Sequence, residues 1–204
     1  WMIMIKPDPL ADLEFTRGIQ ERISARGDII TPMEETLARE SIRELLDSGV
    51  ESITISLMHS YADPSHEKRL KAMIQEMDAN IPISLSSELL PEFREYERTL
   101  VTVMNAYVRP SMGRYLKGFE EKLRGIQFSP KVNIVRSDGG LMSVARATES
   151  PVHTMLSGPA GGVSGAAYLA TLAGYPNALG FDMGGTSTDV SMIQNGTPNL
   201  SRQT

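Results

Sequence analysis

Phe181-Asp182-Met183-Gly184-Gly185-Thr186-Ser187-Thr188-Asp189-Val190 is the stretch that decides how the chain is read. Leu179 to Met183 has the character of a strand, Gly184-Gly185 that of a hairpin turn, and Thr186 to Ile193 that of the returning strand. An Asp, two glycines, three hydroxyls and a second Asp fall within eight residues. Glycines let backbone N–H groups approach phosphoryl oxygens without side-chain obstruction. Thr and Ser hydroxyls add donors, and a carboxylate at a strand end can hold Mg²⁺ or its waters. A plain hairpin would also place Gly-Gly at its turn, but the surrounding hydroxyls and acids favour phosphate contact.

Two upstream segments share this glycine-rich character. Ser157-Gly158-Pro159-Ala160-Gly161-Gly162-Val163-Ser164-Gly165-Ala166-Ala167 predicts a helix with Ser157 as N-cap and Pro159 in its first turn. Each glycine costs such a helix about 1 kcal/mol relative to Ala, so either close packing or an anion at the helix N-terminus must offset it. Ser137-Asp138-Gly139-Gly140-Leu141-Met142-Ser143 reads as a turn just past a strand. It is either a plain turn or a ligand loop, since open α/β sheets bind ligands at the carboxyl ends of strands.

Composition sets these segments apart. Of 45 charged residues only six (Asp138, Arg146, Glu149, Asp182, Asp189, Arg202) lie in 137–204, a stretch that holds 11 of the 17 glycines. The boundary predicted near Ser137 therefore separates solvated helices and strands in 1–136 from closely packed backbone in 137–204. At 204 residues and 41% hydrophobic, the chain can bury a core. A net charge of −5 argues against a nucleic-acid surface. The lack of cysteine removes disulfides and thiolate chemistry and fits a reducing cytoplasm. No apolar run approaches the ~20 residues that span a bilayer, and Trp1 to Lys6 is too short for a signal peptide.

The front part alternates helix and strand. Thr31-Pro32-Met33-Glu34 predicts an N-cap, a proline at the first helical position and a capping-box glutamate, with Met33, Leu37, Leu45 and Leu46 as the apolar stripe and Gly49 as the stop. Ile53, Ile55 and Leu57 alternate with Ser52, Thr54 and Ser56 in a strand. Asp63-Pro64 opens a helix carrying Leu70, Ile74 and Met77, and Ile81 to Leu85 is a short strand. A helix predicted over about Phe93 to Leu123 should break or kink at Pro110. With a further strand at Lys131 to Arg136, the alternation predicts an α/β fold with a partly parallel sheet.

Other chemistry-bearing groups carry two readings each. His59, Asp63 and His66 could bind a divalent metal, or Asp63 could cap a helix while the histidines pack. Glu92, Arg94, Glu95, Tyr96, Glu97 and Arg98 form a charge-dense helix start, either a solvated face or a contact edge. His153 reads as structural, and the twelve methionines as core filler.

Leu57-Met58-His59-Ser60-Tyr61, Arg94-Glu95-Tyr96-Glu97-Arg98-Thr99, Asn105-Ala106-Tyr107-Val108-Arg109-Pro110, Ser157 to Gly162 and Asp182 to Asp189 together resemble the hydantoinase/oxoprolinase family, specifically its ATP-dependent A-type subunit. Asp138 departs from the Asn common in relatives. The resemblance implies an actin/Hsp70/sugar-kinase-like (ribonuclease H-like) fold in which two lobes clasp ATP, with residues 1–136 ending the first lobe and 137–204 opening the second. It implies that Gly184, Gly185, Thr186, Ser187, Thr188 and Asp189, with Ser157 and Gly158, contact the nucleotide, and that Asp182 is catalytic and assists Mg²⁺. The implied activity is ATP-dependent opening of a cyclic amide such as hydantoin or 5-oxoproline, with a B-type hydantoinase subunit or domain as partner. Carboxylation of ketones, or a non-catalytic nucleotide switch or reactivating chaperone on the same scaffold, are the alternatives. Trp1-Met2 and the ending Leu200 to Thr204 suit an internal piece of a longer protein.

Overall fold

A computed structural model describes residues 9–128 and 130–199. The termini named above, Trp1-Met2 and Leu200 to Thr204, lie outside the described residues. Helices and short strands mix throughout, in two compact units, Trp1–Tyr115 and Leu116–Thr204. The change of composition at Ser137 falls inside the second unit. Among the described residues no helix is long and apolar enough to cross a membrane.

After a 3₁₀ turn at Leu13–Phe15, the first unit has an antiparallel hairpin, β1 (Arg22–Ile23) and β2 (Ile29–Thr31), followed by α1 (Glu35–Asp47). Thr31 does not cap α1, because it is paired with Arg22 as the last residue of β2. Glu34 is the cap, and its carboxylate accepts the Thr36 N–H at 3.3 Å. The later start shifts the buried face: Ala38 and Ile42 are buried, while Leu37 is exposed. Gly49, at φ +76°, turns the chain out of the helix as predicted.

β3 (Ile53–Ile55), α2 (Ser65–Met77) and β4 (Ile83–Leu85) follow, with β3 and β4 parallel and Ile53 opposite Ile83. One face of this pair presents Ile53, Ile55, Ile83 and Leu85 to Ala38, Ile42, Leu70, Met73 and Ile74, forming the apolar core. Each such buried side chain contributes on the order of 1.5–3 kcal/mol. Next come α3 (Ser86–Leu89) and α4 (Glu95–Gly125).

The other face of β3 and β4 is not solvent-facing. It meets α4 through hydrogen bonds: Ser52 Oγ to the Ala106 carbonyl at 3.0 Å, Ser56 Oγ with Thr99 Oγ1 at 2.6 Å, and Asn105 Nδ2 to Ser84 Oγ at 2.9 Å. Arg109 donates to the Ile83 carbonyl at 2.5 Å. Pro110 lies inside α4 without breaking it. Its missing N–H would have bonded the Ala106 carbonyl, and Ser52 Oγ supplies that donor instead.

In the second unit β5 (Asn133–Val135) and β6 (Leu141–Ser143) are antiparallel, and α5 (Val144–Glu149) and a 3₁₀ turn at Pro151–Thr154 lead to α6 (Ser157–Leu172). β7 (Ala178–Met183), β8 (Thr188–Gln194) and β9 (Thr197–Pro198) form an antiparallel sheet against α6. Ser157 is not the N-cap. Leu156 occupies the cap position in the left-handed region (φ 60°), and Ser157 already has helical geometry. Small residues on α6 admit close neighbours: a β-carbon at Gly161 would lie 3.7 Å from Val135 Cγ1, and one at Gly180 of β7 would stand 3.7 Å from Ala166 Cβ and collide with Ser191 Oγ. Close packing thus offsets at least part of the cost of glycine in this helix.

Candidate functional site: the hairpin at Asp182 to Asp189

The β7–β8 register pairs Phe181 with Val190, Asp182 with Asp189, and Met183 with Thr188. The turn is therefore four residues, 184–187, rather than the predicted two, and β8 begins at Thr188 rather than Thr186. The Gly184 N–H closes it on the Ser187 carbonyl at 2.9 Å. Ser187 must be held within the turn for that bond to form, which takes Thr186 and Ser187 out of the strand. A β-carbon at Gly184 would touch the Ser187 carbonyl at 3.4 Å, whereas one at Gly185 would meet open space.

Beyond that closing bond the turn is unengaged. The backbone N–H groups of Gly185, Thr186 and Ser187 donate to no group among the described residues. The same holds for the hydroxyls of Thr186, Ser187 and Thr188, and all of these residues are exposed. Exposed amides at a glycine turn with adjacent hydroxyls are the donor set an anion needs.

Asp182 and Asp189 stand directly opposite each other on one face of the hairpin, and neither side chain has an ion pair or hydrogen bond among the described residues. Like charges so placed are mutually destabilising until a cation joins them. Asp182 Oδ2 lies beside α6, 3.8 Å from where a β-carbon at Gly162 would sit. The N-terminal half of α6, with Ser157 and Gly158 in its first turn, thus lies in the same unit as the acidic pair and packs against β7. The donor set and the acid pair fit a magnesium-bound phosphate group.

The turn at Ser137 to Gly140 is satisfied from within. Gly140 N–H reaches Asp138 Oδ1 at 2.9 Å, Arg136 holds Asp138 Oδ2 at 2.7 Å, and Ser137 donates from both N–H and Oγ to the His153 carbonyl. Burial, then the positive charges of Arg136 and Arg146, hold the His153 imidazole below its usual 6.5. Its carbonyl ties two segments, which is a structural role.

Of the metal candidates, Asp63 caps α2, accepting from Ser65 N–H and Oγ at 2.9 Å each. His59 Nδ1 donates to the Ile23 carbonyl at 2.8 Å, and His66 Nδ1 to Glu21 Oε2 at 2.7 Å. The three are drawn to separate partners, and among the described residues no group of three or more His, Asp or Glu could hold a metal ion. Glu21 escaped sequence reading because 45 residues separate it from His66. Within the charge-dense start of α4, Arg98 departs from the solvated reading. It is fully buried and donates to Ser60 Oγ at 2.7 Å and the Leu57 carbonyl at 2.8 Å. The methionines divide, with Met73 and Met142 buried and Met183 and Met192 exposed.

Comparison with known proteins resolves the ancestry of this arrangement. The family pattern described as Hydantoinase/oxoprolinase matches residues 98–204, and its N-terminal region matches residues 1–78. The chain belongs to the hydantoinase/oxoprolinase family. It is 39% identical over 166 residues to 5-oxoprolinase 1 of Arabidopsis thaliana, covering 80% of this chain and 13% of that protein. It is 33% identical over 193 residues to the acetophenone carboxylase gamma subunit of Aromatoleum aromaticum, covering 92% and 26%. The crystal structure of the ATP-dependent caprolactamase from Pseudomonas jessenii superposes with a TM-score of 0.85 at 30% identity, covering 94% of this chain and 28% of that one. This hydantoinase/oxoprolinase chain thus spans 13% to 28% of the length of these relatives.

Proposed function

We propose that this chain supplies one phosphate-binding hairpin of an ATP-dependent enzyme that opens cyclic amides of the hydantoin or 5-oxoproline type. The observation that carries the reading is the turn at 184–187, with three amides, three hydroxyls and an acid pair whose side chains are all unengaged among the described residues. ATP, when bound with Mg²⁺, supplies the phosphoryl group that activates an unstrained amide carbonyl. The amides of Gly185, Thr186 and Ser187 would donate to phosphate oxygens, with Gly184 holding the turn in shape and Ser157 and Gly158 adding donors from the first turn of α6. Thr186, Ser187 and Thr188 add hydroxyl donors, and Asp182 with Asp189 would hold Mg²⁺ or its waters. In this reading residues 1–136 end one lobe of an actin/Hsp70/sugar-kinase-like fold, residues 137–204 open the other, and a B-type subunit or domain completes the enzyme.

Likeness to the acetophenone carboxylase gamma subunit supports a second reading, in which the same activation serves ketone carboxylation. The test is ATP hydrolysis by the full-length protein with 5-oxoproline or hydantoin, and separately with a ketone and bicarbonate. Lactam-dependent turnover is expected, with Asp182→Ala reducing it at least about 100-fold, the scale on which loss of one transition-state contact is felt. ATP turnover unchanged in Asp182→Ala would overturn the assignment.

A further inference from the structure

Three residues of β7 carry two kinds of unused bonding capacity at once. Alternation along the strand sends Gly180 and Asp182 toward α6, where a β-carbon at Gly180 would stand 3.7 Å from Ala166 Cβ. Leu179, Phe181 and Met183 therefore point the other way, and they are 70%, 64% and 70% exposed. Val190 and Met192, opposite Phe181 and Leu179 on β8, extend the same bare apolar face.

The main chain repeats the pattern. Gly184 N–H bonds the Ser187 carbonyl, and hydrogen-bonded pairs recur at every second residue of an antiparallel ladder. Asp182 with Asp189, Gly180 with Ser191 and Ala178 with Ile193 are thus the bonded pairs. Met192, opposite Leu179, turns its carbonyl to Asn199 N–H at 2.9 Å, away from β7, as that phase requires. The N–H and C=O groups of Leu179, Phe181 and Met183 project instead from the outer edge of β7, which ends the strand order β7-β8-β9. They bond to nothing among the described residues. From Ala178 to Met183 this edge has no proline, lysine or register shift, the devices that keep an edge from pairing. Its one charge, Asp182, faces α6.

We propose that the outer edge of β7 is a strand-addition site, filled in the full-length protein by a strand of the same polypeptide from outside residues 1–204. Both ends of β7 are committed, to α6 through 173–177 and to β8 through the turn at 184–187. The added strand is therefore remote in sequence and reaches β7 by a crossover. Such a crossover, usually a helix, lies over a face of the sheet, and α6 already holds one face. The other face, with Leu179, Phe181, Met183, Val190 and Met192, receives it. A second copy pairing its own β7 here would satisfy the edge but leave two bare apolar faces side by side in water. The length for a further segment exists in a relative, since the matched part of the caprolactamase is 28% of that chain. With the strand in place the main chain of Met183 is held, and Met183 adjoins the turn at 184–187.

Amide hydrogen exchange on the full-length protein, resolved to single residues and measured without nucleotide, tests this on the wild type. The amides of Leu179, Phe181 and Met183 should exchange at least about 1,000-fold more slowly than the exposed amides of Gly185 and Thr186. Exchange as fast as at Gly185 overturns the proposal. Protection that disappears on dilution to the monomer also overturns it, because the occupant is then a second copy. Phe181→Pro removes an outward N–H and leaves every β7–β8 bond intact. In that variant Leu179 and Met183 should exchange at least about 10-fold faster than in the wild type, while Gly180 and Asp182 stay protected. Unchanged protection at Leu179 and Met183 overturns the proposal, and if the variant fails to fold the wild-type exchange decides alone. Neither ATP nor a substrate enters the measurement, so its outcome is independent of the proposed function.

Discussion

Two sets of three hydroxyls flank strands in this chain, and they behave oppositely. Ser52, Thr54 and Ser56 alternate along β3 and meet α4, Thr54 more loosely at 3.5 Å from the Thr102 carbonyl. Thr186, Ser187 and Thr188 are consecutive at the β7–β8 turn and bond to nothing among the described residues. Buried polar groups are expected to find partners, so the first set defines how a helix seats on a sheet. The second set is exposed with its amides free, and so it can serve a ligand. Polarity by itself does not mark a site; polarity the fold leaves unengaged does.

The largest expected effect lies in the buried region. Fully buried Glu67 accepts from Leu57 N–H at 2.9 Å, Ser86 Oγ at 2.6 Å and Ser87 N–H at 3.0 Å. Ser86 Oγ and Ser60 Oγ stand 3.1 Å apart, and Arg98 donates to Ser60. A negative and a positive charge are thus joined through two hydroxyls in the buried interior. Arg98→Ala should destabilise the chain by about 3–5 kcal/mol in urea unfolding, because it leaves Glu67 without its opposing charge. A loss below about 1 kcal/mol, the range of an exposed ion pair, would mean that this region is no better engaged than a surface.

A smaller effect tests a single rung. Ser52→Ala should cost about 1 kcal/mol by leaving the Ala106 carbonyl without its donor. In a Pro110→Ala background the restored backbone N–H takes that carbonyl, and Ser52→Ala should then cost almost nothing. A double-mutant cycle measures the coupling. Equal costs in both backgrounds would show that Ser52 does not substitute for the missing N–H.

What could be read in advance follows from range. Strand alternation at Ile53 and Ile55, the stop at Gly49 and the glycine hairpin at 184–185 are local patterns, and the structure bears them out in kind. The cap at Glu34 and the intact helix at Pro110 depend on groups brought from elsewhere, Arg22 pairing with Thr31 and Ser52 reaching Ala106. The charge density around Arg98 left a solvated face and a contact edge both open; Arg94 and Glu97 form an exposed pair at 3.7 Å, and only the fold turns Arg98 toward Ser60. At the candidate site the residue types were legible, but the turn length was not. Four residues in place of two leave the amides of 185–187 free, a consequence of the Met183–Thr188 register.

The smallest expected effect on stability belongs to the unengaged set. Thr186→Ala and Ser187→Ala remove hydroxyls that bond to nothing among the described residues, so each should shift the unfolding midpoint of this chain by no more than about 0.5 kcal/mol equivalent. The bond from Gly184 N–H to the Ser187 carbonyl that closes the turn is backbone and survives both changes. Under the proposed function the same substitutions weaken ATP affinity in the full-length protein, each lost donor to a charged oxygen being worth about 1.5–3 kcal/mol. Stability and binding then separate at Thr186 and Ser187, whereas at Arg98 stability alone should respond. If Thr186→Ala and Ser187→Ala destabilised the fold as Ser52→Ala does, these hydroxyls would have structural partners, and the contrast between the two sets would collapse.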